Sequence, residues 1–199
     1  QGETDGASQD RAEEPGASHP PCPTGLYMSD MVPTWVGGDL VAVDTLDVHR
    51  QGLRHRAVSV FLIHDGLLLL QRRSQNKAHT PGLWSSTCCS HPHWGEQPLA
   101  CAIRHLRGEL GITATLPLTT RPPIEYRADV GSGMTDHEVV DVFVADTSEK
   151  PGIVPNPDEV SQVTWLSLPA LVDAIAKAPG DFTPWLRTCM SENRHTIFG

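Results

Sequence analysis

Cys89 stands two residues before His91 in the run Trp84-Ser85-Ser86-Thr87-Cys88-Cys89-Ser90-His91-Pro92. A thiol placed between a strand and a helix can act as a nucleophile, an acid/base or a metal ligand. A buried structural Cys beside an ordinary loop His has the same look. Asp136-His137-Glu138 opens an apolar strand. Residues two apart on a strand share a face, so Asp136 and Glu138 point one way and His137 the other. Two carboxylates on one face repel unless a cation or a shared proton joins them; a solvated strand start is the plainer alternative. His49 and His55 lie just before the first long strand. With His91, Asp136 and Glu138 they would make a three-nitrogen, two-carboxylate set suited to Mn²⁺, Mg²⁺ or Zn²⁺. Glu109 lies near a helix end, where it could reach a hard cation bound to phosphate oxygens. The stretch Gln71 to Lys77 is basic; Arg forks and Lys point charges match phosphate oxygens, although such residues are often only solvated. His19, His64, His79, His93 and His195 are read as surface or core residues.

These residues need elements to hold them. Val41–Asp44 reads as a short strand. Arg56–Ile63 is apolar and β-branched, His64-Asp65-Gly66 is a turn, and Leu67–Gln71 returns, which is a hairpin signal. Leu83–Thr87 is a short extended piece after Pro81-Gly82. Residues 97–110 read as a helix with Leu99, Ala102, Ile103, Leu106 and Leu110 on one face and Gly111 at the C-cap. Strands follow at Val139–Ala145 and Val160–Leu166. Ser167-Leu168-Pro169 caps a helix running to about Lys177, and Phe182–Arg194 is a last amphipathic helix. Strand alternation turns Cys88 away from Cys89, so Cys88 is read as structural. Strands mixed with a few helices predict an α/β sandwich.

The chain has 199 residues and a formal net charge of -9, from 15 Lys+Arg against 24 Asp+Glu. That length suits one domain with a tail. The acidic balance argues against nucleic acid or an anionic membrane as partner. Residues 1–30 hold six acids (Glu3, Asp5, Asp10, Glu13, Glu14, Asp30) and one base (Arg11). The first 27 carry almost no bulky apolar side chains, so an acidic disordered extension over 1–30 is expected, with the domain at 31–199. The five Cys (22, 88, 89, 101 and 189) form no disulfide pattern, which reads as a reducing, cytoplasmic setting. No apolar run approaches the ~20 residues of a membrane helix, and no signal-peptide pattern opens the chain.

Taken together, HRAVSVFL (55–62), LLLQRR (68–73), PGLWSSTCCSHP (81–92), GE (95–96), RGELGI (107–112), EYRADVG (125–131), DHEVVDVFVA (136–145) and FTPWL (182–186) resemble the type I isopentenyl-diphosphate delta-isomerases of the Nudix superfamily. The resemblance covers about Val32 to Phe198. It implies a Nudix-type α/β/α sandwich with a mixed sheet and the Nudix helix at the metal site. It implies a reversible allylic shift between isopentenyl and dimethylallyl diphosphate. Cys89 and Glu138 would face each other across the hydrocarbon tail: Glu138, aided by Tyr126, delivers the C4 proton and Cys89 takes the C2 proton, though their order stays open. Trp185 would stabilise the carbocation through its π-face. His49, His55, His91, Asp136 and Glu138 would hold Mn²⁺, Mg²⁺ or Zn²⁺. Glu109 and the Cys89 carbonyl would hold Mg²⁺ with the diphosphate, and Arg73 and Lys77 would bind the diphosphate. No flavin is implied. The expected partner is a small prenyl diphosphate, with the protein a monomer or weak homodimer.

Three positions depart from the family pattern. Asp136 stands where Glu is usual, Thr45 where a substrate-binding Lys is common, and His105 where Arg is frequent. Two other readings compete. A Nudix hydrolase would need a Glu-rich Arg-Glu-x-x-Glu-Glu run, whereas Arg104 to Glu109 carries one Glu. A structural zinc module around Cys88, Cys89 and His91 fits no compact finger spacing.

Overall fold

The strand Arg54–His64 (β3) buries both faces by alternation. Val58, Val60 and Leu62 enter one apolar cluster, and Ala57 and Phe61 enter another. A strand buried on both sides belongs at the centre of a sheet, and β3 is the hub here. The computed structural model describes residues 31–199; the acidic extension expected over 1–30 lies outside the described residues.

The strands β1 (Met31–Val36) and β2 (Asp39–Asp44) form a hairpin beside β3. β3 turns through Asp65 and Gly66, both at positive φ, into β4 (Leu67–Arg73). That is the requirement of a two-residue hairpin turn, so the expected turn is present. Two short strands follow, β5 (Trp84–Ser85) against β4 and β6 (Cys88–Ser90) against β3. The long strands β7 (Thr119–Gly131) and β8 (Met134–Thr147) pair antiparallel, and β8 runs parallel to β3 from Arg54↔His137 to His64↔Thr147. The strand β9 (Val160–Ser167) pairs antiparallel with β4. The sheet is mixed, as expected.

Helices cover both faces. α2 (Pro98–Leu110) packs on the face of Val58, Val60 and Leu62. α3 (Leu168–Lys177), α4 (Pro184–Ser191) and α5 (Arg194–Phe198) pack on the other. A helix of about two turns, α1 (Thr45–Gln51), links β2 to β3. Asp44 caps it by accepting from the Leu46 and Asp47 amides, and Gly52 ends it at φ 62°.

Three expectations are corrected in detail. The buried face of α2 is Cys101, Ala102, Leu106, Glu109 and Leu110, while Leu99 and Ile103 are each 45% exposed. The apolar spacing held the right period, but the stripe is rotated toward Glu109. The last helix begins at Pro184 and breaks around Glu192-Asn193 into α4 and α5. The sequence reading also passed over α1, β1 and β7. β7 carries Pro122-Pro123 beside a register shift between Arg121 and Ile124, and among the described residues it pairs with β8 alone, so these prolines sit on an edge strand.

Candidate active site

The alternation of β8 sends Asp136 and Glu138 inward and leaves His137 on the other face. Both carboxylates are almost fully buried. α1 brings His49 to them, β3 brings His55, and the chain after β6 brings His91. The three imidazoles sit with ring centroids 5.0 Å apart in every pairing. His49 Nε2 lies 3.4 Å from Asp136 Oδ1, and His55 Nε2 and His91 Nε2 lie 3.6 and 3.0 Å from Glu138 Oε1. The Tyr126 hydroxyl, on β7 opposite Glu138, donates to Glu138 Oε2 at 2.5 Å.

Backbone carbonyls orient the ring nitrogens that face away. His49 Nδ1 meets the Thr45 carbonyl at 2.5 Å, and His55 Nδ1 meets the Leu53 carbonyl at 2.8 Å. Only Nδ1–H can donate there, so the neutral tautomer of each ring carries its lone pair on Nε2. This is the support that metal-bound His receives. Burial lowers the pKa of His49 and takes His91 down to about 4, keeping both rings neutral. Burial, then the Glu138 charge, raises Asp136 to about 8. Burial also pushes Glu138 upward, but its bonds and charges with His55 and His91 outweigh this and hold it low. Among the described residues, His49 Nε2 and Asp136 Oδ1 are buried with no hydrogen-bond partner. Two lone pairs aimed at each other across 3.4 Å repel unless a proton or a cation lies between them. The donor set therefore fits a divalent metal.

A cavity of about 370 Å³ opens onto this cluster, a volume suited to a small molecule. Cys89, Arg73, Lys77, Trp185, Asp136 and Glu138 all contribute to its wall. Cys89 packs toward the α4 side and Cys88 toward α2, so the two thiols do face opposite ways. Burial and the nearby Glu138 charge push the Cys89 thiol well up, so it keeps its proton. Trp185 is anchored by its Nε1–H, which donates to Ser85 Oγ at 2.9 Å.

Arg73 reaches the wall by a local irregularity. Gln71 points toward α2, where it donates to Glu109, and simple alternation would send Arg73 the same way. A register shift between Arg72 and Arg73 re-aims it. Its guanidinium stands 5.1 Å over the Trp185 ring and donates to the carbonyls of Thr80 and His79. Lys77 forms an ion pair with Glu159. Glu109 is not on the wall: it lies behind Ser90, held by His105 Nδ1 at 2.9 Å and Gln71, with Ser90 Oγ on His105 Nε2 at 2.8 Å. Thr45 lines the cavity and supplies the carbonyl that orients His49.

One residue at the wall was missed. His79, read from sequence as surface or core, stacks on His49 and lines the cavity. It lies on an irregular loop, so no periodicity could place it. Only its nearness in sequence to Arg73 and Lys77 hinted at the site.

A mixed sheet between helical layers, with a carboxylate on α2 behind the cavity wall, defines a class: the NUDIX domain profile matches residues 53–186. Solved structures carry the same fold, including DR0079 from Deinococcus radiodurans (TM-score 0.57, 21% identity, 71% of this chain and 82% of that one). A MutT NUDIX hydrolase from Burkholderia pseudomallei is similar (TM-score 0.52, 23% identity, 70% and 97%). Within this class the sequence is more specific. It is 51% identical over 172 residues to an isopentenyl-diphosphate Delta-isomerase of Roseobacter denitrificans, covering 86% of this chain and 97% of that protein. It is 49% identical, with the same coverage, to the enzyme of that name from Dinoroseobacter shibae. The chain belongs to the isopentenyl-diphosphate Delta-isomerase family of Nudix-fold enzymes. Among the described residues no helix is long and apolar enough to cross a membrane.

Proposed function

We infer that this protein is an isomerase that interconverts isopentenyl diphosphate and dimethylallyl diphosphate. The observation that carries the chemistry is the placing of Cys89, Glu138 and Trp185 on the wall of one cavity, with Tyr126 bonded to Glu138 from behind. The reaction adds a proton at C4 of the alkene and removes one from C2, through a tertiary carbocation. Two proton carriers suffice, and an aromatic face between them stabilises the cation.

Glu138 with Tyr126 delivers the C4 proton, after taking up the proton that the resting Cys89 thiol holds. The Tyr126 hydroxyl, 2.5 Å from Oε2, stabilises the carboxylate that remains when Glu138 has given its proton. Cys89, left as thiolate by that transfer, takes the C2 proton. A thiol whose pKa burial has raised makes a strong base once ionised, which suits removal of a C–H proton. After each forward turnover one proton returns from Cys89 to Glu138; both line the same cavity, so the path is short. The buried wall also keeps water from the cation and from the allylic diphosphate.

His49, His55, His91, Asp136 and Glu138 would hold a divalent metal, which when bound supplies positive charge that fixes the two carboxylates and orients Glu138. Glu109 would hold Mg²⁺ only after giving up its bonds to His105 and Gln71, with Arg73 and Lys77 binding diphosphate oxygens; Lys77 must then exchange Glu159 for the substrate. Conversion of isopentenyl diphosphate in deuterated water, followed by proton NMR, tests the reading. Deuterium entering the new methyl group and exchanging at C2 is the expected result. Release of phosphate without isomerisation would overturn it.

A further inference from the structure

His79 has no part in the scheme so far. It lies on the loop between β4 and β5, and the Arg73 guanidinium pins that loop through the His79 carbonyl at 3.1 Å. The ring is left for other use. It stacks on His49 at 5.1 Å with an interplanar angle of 28° and meets Trp185 edge-on at 6.1 Å. Among the described residues its one side-chain hydrogen bond is long, 3.4 Å between Nδ1 and Thr80 Oγ1.

A ring nitrogen of His79, one of His49 and an Asp136 oxygen lie within 4.8 Å of one another. Two members of this trio, His49 Nε2 and Asp136 Oδ1, are the buried atoms of the centre that lack a partner. Glu138 belongs to a different group, with His49, His55 and His91. The donors thus divide into two sides that share His49. The Glu138 side is rich in imidazole. The Asp136 side has only His49 and His79, and its carboxylate is one methylene shorter than the glutamate that the family pattern leads one to expect there. A shorter arm reaches less far toward an ion held from the opposite side.

We propose that His79 is a further ligand of the metal centre, bound beside Asp136 and making good the reach that aspartate lacks. The proposal rests on the reading that the His/carboxylate cluster holds a divalent cation. Four imidazoles and two carboxylates provide six donors, and so nitrogen-rich a set favours a transition metal such as Mn²⁺ or Zn²⁺ over Mg²⁺.

The test uses full-length protein stripped of metal and titrated with Mn²⁺, with free Mn²⁺ read by electron paramagnetic resonance. Wild type, His79→Ala, Asp136→Glu and the double variant are compared. Loss of a supporting group at a metal site costs about 10- to 100-fold in affinity, and His79→Ala is expected to weaken binding by that factor. In the Asp136→Glu background the longer carboxylate replaces the reach, so adding His79→Ala there changes affinity by no more than about twofold. The visible spectrum of the Co²⁺-loaded protein changes with His79→Ala in the wild-type background, as expected when a nitrogen ligand is lost. The metal-free melting temperature stays put, and the rise that Mn²⁺ produces shrinks. Unchanged Mn²⁺ affinity and Co²⁺ spectrum in His79→Ala would overturn the proposal. So would an equal loss in both backgrounds, or a fall in metal-free stability that accounts for the whole effect. If wild type itself bound no Mn²⁺, the metal reading would fall with it, whereas tight wild-type binding that ignores His79 removes this inference alone.

Discussion

Tyr126→Phe removes one oxygen atom from the site and leaves the rest of the side chain in place. The ring is buried in the cluster with Ile124, Val140 and Trp185, so phenylalanine keeps the packing. What disappears is the 2.5 Å bond to Glu138 Oε2. A hydrogen bond to a charged group contributes about 1.5–3 kcal/mol, and each ~1.36 kcal/mol is tenfold in rate, so turnover should drop about 10- to 150-fold. The hydroxyl faces Glu138 rather than the cavity wall. KM should therefore stay close to the wild-type value, as when an interaction made only in the transition state is lost. Initial rates by proton NMR across a range of isopentenyl diphosphate concentrations separate the two parameters, and a thermal melt controls for folding. Turnover within twofold of wild type in a normally folded variant would refute the coupling of Tyr126 to Glu138. A rise in KM at constant turnover would show instead that the hydroxyl contributes only to binding.

Cys89→Ala and Glu138→Gln should each lower turnover by orders of magnitude while the circular dichroism spectrum stays native; near-normal rates in either would remove that residue from the proton transfers. Exhaustive chelation should abolish isomerisation, and added Mn²⁺ or Mg²⁺ should restore it, so full activity after chelation counts against the metal reading. Gly111→Ala should destabilise the fold by about 1–3 kcal/mol in denaturant titration, because Gly111 sits at φ 62° and an added Cβ would lie 2.5 Å from the Val154 carbonyl oxygen. In metal-free protein, His79 and His91 have folded values of about 3 and about 4 against an ordinary 6.5. Below 6.5 the unfolded chain takes up protons that these rings refuse, so stability should fall as pH drops from 6.5 toward 4. Asp136, raised from 3.8 to about 8, works the other way: its contribution is lost as pH rises through 8. Melting temperatures of the stripped protein should therefore peak near the upper end of the histidine window, and a monotonic rise to pH 9 would contradict this pairing of shifts.

Much of this protein is local enough to read along the chain. The period-2 pattern of β8 placed Asp136 and Glu138 together and His137 opposite, because side-chain direction on a strand depends only on parity. The same parity separated Cys88 from Cys89. The β3–β4 hairpin followed from Asp65-Gly66, since positive φ at both positions is a property of those residues. The metal-fitting His residues were named from residue type, and the family motifs put them in order.

Tertiary structure decided what depends on distance between segments. α1 is too short and polar to show a period, yet its Asp44 cap and Gly52 end hold His49 against β8. The rotation of α2, which exposes Leu99 and Ile103 and buries Glu109, reflects a partner for Glu109 in Gln71 on β4. The shift between Arg72 and Arg73 reverses the face that alternation assigns to Arg73, and only the pairing of β4 with β9 produces it. His79 joins His49 because a loop with no pattern of its own is pinned by Arg73. Parity, turns and residue chemistry are written in single segments. Where two segments meet is set by how the whole chain buries its apolar faces, and that sum has no local signature.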